Sequence, residues 1–115
     1  MKKEERRLHP RIDQQLAINV AANGYDFITN TQNISCLGAY CTIDKYIPPF
    51  TKLKIKLNLP LTQKGVKEKC DIDCSGVIVR TEDNPDGKFN IAIFFNKISD
   101  QPRKKITQYI KQFID

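Results

Sequence analysis

From Lys52 to Leu59 every second residue is apolar: in Lys52-Leu53-Lys54-Ile55-Lys56-Leu57-Asn58-Leu59 the aliphatic side chains alternate with polar ones without a break. A period of two belongs to a strand with one dry face and one wet face, so Leu53, Ile55, Leu57 and Leu59 are expected inside and the lysines in water. The same alternation predicts a strand from Phe89 to Phe95, with Phe89, Ile91, Ile93 and Phe95 inward, and a shorter one from Ala39 to Ile43. The run from Cys70 to Arg80 changes phase: Cys70, Ile72 and Cys74 share one parity, Val77 and Val79 the other. Gly76 lies at the change, which predicts a β-bulge that returns the apolar side to the core.

Turn residues separate these runs. Asn23-Gly24 joins a strand over Leu16–Ala21 to one beginning near Tyr25, Pro48-Pro49 stops the chain after Ile43, and Asp83-Asn84-Pro85-Asp86-Gly87 links the last two strands. Short strands at regular spacing imply an antiparallel barrel or sandwich. After Ser99, a candidate N-cap, the period changes: Ile106, Tyr109, Ile110, Phe113 and Ile114 follow helical spacing, with Pro102 in the first turn. The expected molecule is mainly β, a barrel over residues 12–99 closed by a C-terminal α-helix over 100–115, with a basic arm at 1–11.

A chain of 115 residues is one domain's worth and can bury a core without staples. Its formal charge of +6 is uneven: residues 1–11 hold five Lys/Arg against two Glu, and residues 100–115 hold four against two Asp. A basic arm on a nearly neutral body favours an anionic partner, bound less tightly as salt rises. No apolar run approaches the roughly 20 residues of a bilayer span, and Met1-Lys2-Lys3 leads into Glu4-Glu5 rather than an apolar stretch, so a cytoplasmic chain without membrane insertion is expected. Cys36, Cys41, Cys70 and Cys74 are spaced more loosely than paired zinc knuckles, and Cys70 and Cys74 fall in a strand-like run. Core thiols are therefore preferred to a metal site.

Two segments carry chemistry. Arg6-Arg7-Leu8-His9-Pro10-Arg11 is too polar to fold alone, so the arm is expected to stay mobile until an anion neutralises it. Guanidinium forks grip phosphate through two hydrogen bonds and also stack on a base or bind guanine O6 and N7. In Asn33-Ile34-Ser35-Cys36-Leu37-Gly38, Asn33 and Ser35 share one side of an extended chain while Ile34 faces the other and anchors it. Asn and Ser can address a base edge, and Gly38 allows a tight turn or the close approach of a purine. Taken separately, the first segment reads as a solvated basic run and the second as a turn held by its own side chains.

In this order and spacing, Arg7-x-x-x-Arg11 with Asn33-x-Ser35-x-x-Gly38 resembles the paired motifs of PilZ domains, the bacterial receptors for cyclic di-GMP. The likeness extends over Pro60 after Leu59, the strands Gly76–Arg80 and Gly87–Phe95, and the terminal helix. It implies a six- or seven-stranded antiparallel barrel, with the arm folding over cyclic di-GMP on the outer surface. By that resemblance Arg7 and Arg11 would hold phosphate and guanine, with Arg6 as an additional arginine. Asn33 and Ser35 would contact a guanine edge or position the loop, and Gly38 would permit the turn. Pro10 sits where the family tunes docking, which leaves one bound molecule or a stacked pair open.

No enzyme is expected. His9, the one histidine, lies in the arm, and no nucleophile–base pair or phosphate-cradling glycine loop is present. The expected role is a cyclic di-GMP receptor that orders its arm on binding and signals to a downstream protein partner yet to be identified. Two alternatives stand beside it: a PilZ-like adaptor that works by protein contacts alone, and an oligonucleotide-binding barrel. Charge placed mainly at the termini and the lack of an outward aromatic ladder argue against nucleic acid. Tyr40, opposite in parity to the inward Ala39 and Cys41, is the aromatic residue expected on the outer surface.

Overall fold

The structure, a computed structural model, describes residues 10–22 and 24–114. Arg6, Arg7, His9 and the rest of the arm up to residue 9 lie outside the described residues, as do Asn23 and Asp115. Six strands follow in order, β1 (Ala17–Ala22), β2 (Tyr25–Ile34), β3 (Gly38–Ile43), β4 (Lys52–Gln63), β5 (Val66–Asp83) and β6 (Phe89–Lys97), and then one helix, α1 (Asp100–Lys111). All strand pairs are antiparallel, and the sheet closes as β1-β2-β3-β6-β5-β4. Closure removes the open edges that would otherwise template aggregation.

The alternating strands behave as their pattern dictates. Leu53, Ile55, Leu57 and Leu59 are buried while Lys52, Lys54 and Lys56 are exposed, and Ile91, Ile93 and Phe95 of β6 join the same core. At about 1.5–3 kcal/mol for each large side chain removed from water, this interior supplies the main favourable term of folding. The helix contacts β4 and β5 and buries Ile106, Tyr109 and Ile110 in that core. Ser99 does occupy the N-cap with extended backbone, but its side chain makes no capping bond. Helical periodicity outruns the helix: Phe113 and Ile114 lie beyond Lys111 and are exposed, Phe113 resting edge-on against Tyr109 at 5.1 Å.

The expected phase change in β5 does not occur. Ile72, Gly76 and Ile78 all face inward and Val79 is exposed, so a single parity runs through the glycine. Register shifts against β6 are present on both sides, between Ser75 and Val77 and between Ile78 and Arg80. Gly76 answers a shortage of space: a Cβ there would meet Ile55 Cδ1 at 2.6 Å and Ile93 Cγ2 at 2.9 Å. A second unexpected feature is the length of the β4–β5 hairpin, paired from Lys52↔Val77 to Gln63↔Val66. Lys64 (φ 52°) and Gly65 (φ 78°) close it as two successive left-handed residues, the geometry that matches strand twist in a two-residue turn. Pro60 falls where β4 has run past its pairing with β1, which ends at Leu57, so its missing N–H costs no ladder bond there.

Candidate functional site

The chain enters the barrel through residues 10–16, which run beside β2 before β1 begins. Ile12 and Ile34 form an isolated antiparallel pair, the Ile12 N–H donating to Ile34 O at 2.9 Å and the Ile34 N–H to Ile12 O at 3.0 Å. Both side chains are buried, so aliphatic packing backs up the two hydrogen bonds. Further along, the Thr31 N–H donates to Leu16 O at 2.9 Å. The Thr31 hydroxyl accepts from the Leu16 N–H at 2.9 Å and donates to Gln14 O at 2.7 Å. Thr31 is only 1% exposed, and a buried hydroxyl satisfied on both sides makes a strong local clamp. Neither Ile12 nor Thr31 is evident as a site residue from sequence. Thr31 lies in the polar run Thr29-Asn30-Thr31-Gln32-Asn33, and a register shift between Thr31 and Asn33 accompanies the burial of both Thr31 and Ile34, which differ in parity.

This strap places Arg11. In an antiparallel pair the residue before one partner and the residue after the other leave from the same end, so Arg11 and Ser35 emerge together from the Ile12–Ile34 pair. Arg11 is exposed and has no acidic partner among the described residues. Of the sequence-derived site residues, Arg11, Asn33, Ser35 and Gly38 are thus brought to one corner of the barrel, whereas Arg6 and Arg7 lie outside the described residues.

The turn after β2 is wired shut. The Ser35 N–H donates to Gly38 O at 2.9 Å, and the Ser35 hydroxyl oxygen accepts from the Leu37 N–H at 3.1 Å. The Phe95 N–H of β6 donates to Leu37 O at 2.8 Å, which ties the turn to the next strand. Gly38 pairs with Phe94, and its role is steric: a Cβ would overlap the carbonyl oxygen of Ile93 and lie 3.1 Å from that carbonyl's carbon. Gly38 does not have a left-handed φ, so close approach to β6, rather than a tight turn, demands the glycine.

Outside this turn, Asn33 is half-buried and pairs with Tyr40 of β3. The Tyr40 hydroxyl donates to Glu82 Oε1 at 3.0 Å, and Glu82 Oε2 lies 3.0 Å from Arg80 Nε. Burial first, and the Glu82 carboxylate second, raise the Tyr40 phenol above its ordinary value. Among the described residues, two grooves of about 530 and 760 Å³ are lined by other residues than Arg11, Asn33, Ser35 and Gly38.

The cysteines do not contribute to it. Cys41 is buried in the core, Cys36, Cys70 and Cys74 pack partly against it, and among the described residues no three His, Cys, Asp or Glu side chains gather as a metal site. Burial pushes the Cys41 thiol up to about 12, and burial with the nearby Asp73 carboxylate pushes Cys74 to about 11. Among the described residues no helix is long and apolar enough to cross a membrane.

Comparison with solved structures places the Bacillus subtilis inhibitor of motility MotI/DgrA beside this chain, with a TM-score of 0.80 at 16% sequence identity. That alignment covers 99% of this chain and 53% of the other, so the chain spans about half the length of that protein. At such low identity the likeness is one of fold. No curated protein matches the sequence. A family profile described as PilZ domain matches residues 5–112, which take in the strap, all six strands and the helix. On that span, the chain belongs to the PilZ domain family.

Proposed function

We propose that this chain is a non-enzymatic receptor for cyclic di-GMP, bound at the corner formed by Arg11, Asn33, Ser35 and Gly38. The observation that supports the reading is the Ile12–Ile34 pair, because Arg11 of the first motif and Ser35 of the second, far apart in sequence, leave the same end of one hydrogen-bonded unit. Arg11 and Arg7 supply charge-assisted hydrogen bonds to phosphate and guanine, and Arg6 adds a third guanidinium. Asn33 presents an amide at a base edge, and Ser35 acts mainly by holding the loop, since its hydroxyl oxygen already accepts from Leu37.

Of the four corner residues only Arg11 is fully exposed, and in this reading enclosure of the ligand falls to residues 1–11, which contact it in the bound state. That differential contact is what a ligand-driven shift of conformation requires. The ordered arm changes the surface offered to a downstream protein partner in the bacterial cytoplasm. No cofactor or metal enters the scheme. Isothermal titration of the full chain with cyclic di-GMP tests it: saturable binding that weakens with added salt is expected, and absence of binding at low salt overturns the receptor reading in favour of a ligand-independent adaptor.

A further inference from the structure

We propose a second binding surface, separate from the motif corner: a trough on the outer face of β1, β4, β5 and β6 that takes an extended acidic segment of a partner protein. The register lines up Ala21, Lys54, Ser75 and Lys97 across the four strands, and beside that row Asn19, Lys56 and Asp73. With Ile98 and Ser99 just past the end of β6, these residues line a concave groove with room for about 760 Å³. A neighbouring groove shares Ala21, Lys54, Ser75 and Lys97 and extends the trough to Lys52.

The charge in the trough is unbalanced. Lys56 has one carboxylate in reach, Asp73 at 3.9 Å, and both side chains are more than half exposed, so that pair is weak. Lys52, Lys54 and Lys97 have no acidic partner among the described residues. The barrel thus carries a row of uncompensated ammonium groups on a face that the cyclic di-GMP reading does not use.

Spacing selects the occupant. Lys52, Lys54 and Lys56 are alternate residues of one strand, so successive ammonium stems rise roughly 7 Å apart. An extended peptide with a carboxylate at every second residue repeats at the same interval, whereas an acidic helix does not. Neither an aromatic nor an arginine side chain lines the trough, which removes the stacking platforms that single-stranded nucleic acid uses. Concavity disfavours a flat anionic bilayer.

The test is fluorescence anisotropy on the full chain with a labelled, end-capped octapeptide of alternating glutamate and serine. The comparison is a peptide of the same composition with its glutamates contiguous. Tighter binding of the alternating peptide is expected, with a loss of about tenfold in Lys54→Glu/Lys97→Glu, in line with reversal of two uncompensated charges. Lys67→Glu/Lys69→Glu makes the same change of charge on the exposed outer hairpin and should cost less than about threefold. Equal losses in the two double variants, or equal binding of the two peptides, would overturn the proposal as non-specific electrostatics. Tighter, Lys54-dependent binding of an oligothymidylate or of phosphatidylglycerol vesicles would overturn the choice of a protein partner.

Discussion

Ser35 and Arg11 leave the same end of the Ile12–Ile34 pair, yet they are held in opposite ways. Ser35 is 5% exposed, and both its N–H and its hydroxyl oxygen are engaged within the turn, which is fastened to β6 through Leu37 and Phe95. Arg11 stands in solvent with no described acid beside it. One half of the corner is therefore finished before any ligand arrives, and the other half has its charge unpaired. Damage to the first should show in stability, and damage to the second in affinity alone.

The sharpest separation is expected at Gly38. Gly38→Ala forces a Cβ into the Ile93 carbonyl, and overpacking against backbone costs about 3 kcal/mol, which lowers Tm by roughly 10–20 °C in a thermal melt. Next comes Arg11→Ala, which should weaken cyclic di-GMP about a hundredfold by titration, since charge-assisted hydrogen bonds are the strong ones. Its Tm should stay within about 2 °C of wild type because an exposed, unpaired side chain is lost. Large unfolding in this variant would erase the proposed contrast.

Thr31→Val links the two halves. The isosteric change leaves the Leu16 N–H and Gln14 carbonyl without their buried partner, at a cost of about 2 kcal/mol in urea denaturation. Loosening of the strap should also weaken ligand binding several-fold through Arg11, although Thr31 itself is buried away from the surface. Ser35→Ala should have the smallest effect, about 1 kcal/mol for the lost bond to the Leu37 N–H, with a modest change in affinity. A hundredfold loss there would show that Ser35 touches the ligand directly.

What the residues disclose by pattern alone divides along similar physical lines. β3, β4 and β6 are legible because one strict period decides their inward face, and the helix onset is legible because the period changes after Ser99. Val77-Ile78-Val79 is apolar on both parities, so alternation cannot say which side is inward. The observed parity sets Gly76 against Ile55 and Ile93 of other strands, where a Cβ would not fit. Motif spacing likewise identifies Arg11, Asn33, Ser35 and Gly38, but not what unites them. Ile12 meets Ile34, and Thr31 meets Leu16, through pairings between residues distant in sequence, and those lie beyond any local pattern.

Cyclic di-GMP is proposed to sit where the strap meets the turn after β2. Amide chemical-shift mapping of the full chain during titration with cyclic di-GMP tests it most directly. Saturable shifts concentrated at Arg11, Asn33 and Ser35–Gly38 are expected, together with new contacts from the arm. Saturable shifts confined to the lysine trough on β4 and β6, with the strap and turn unmoved, would contradict it.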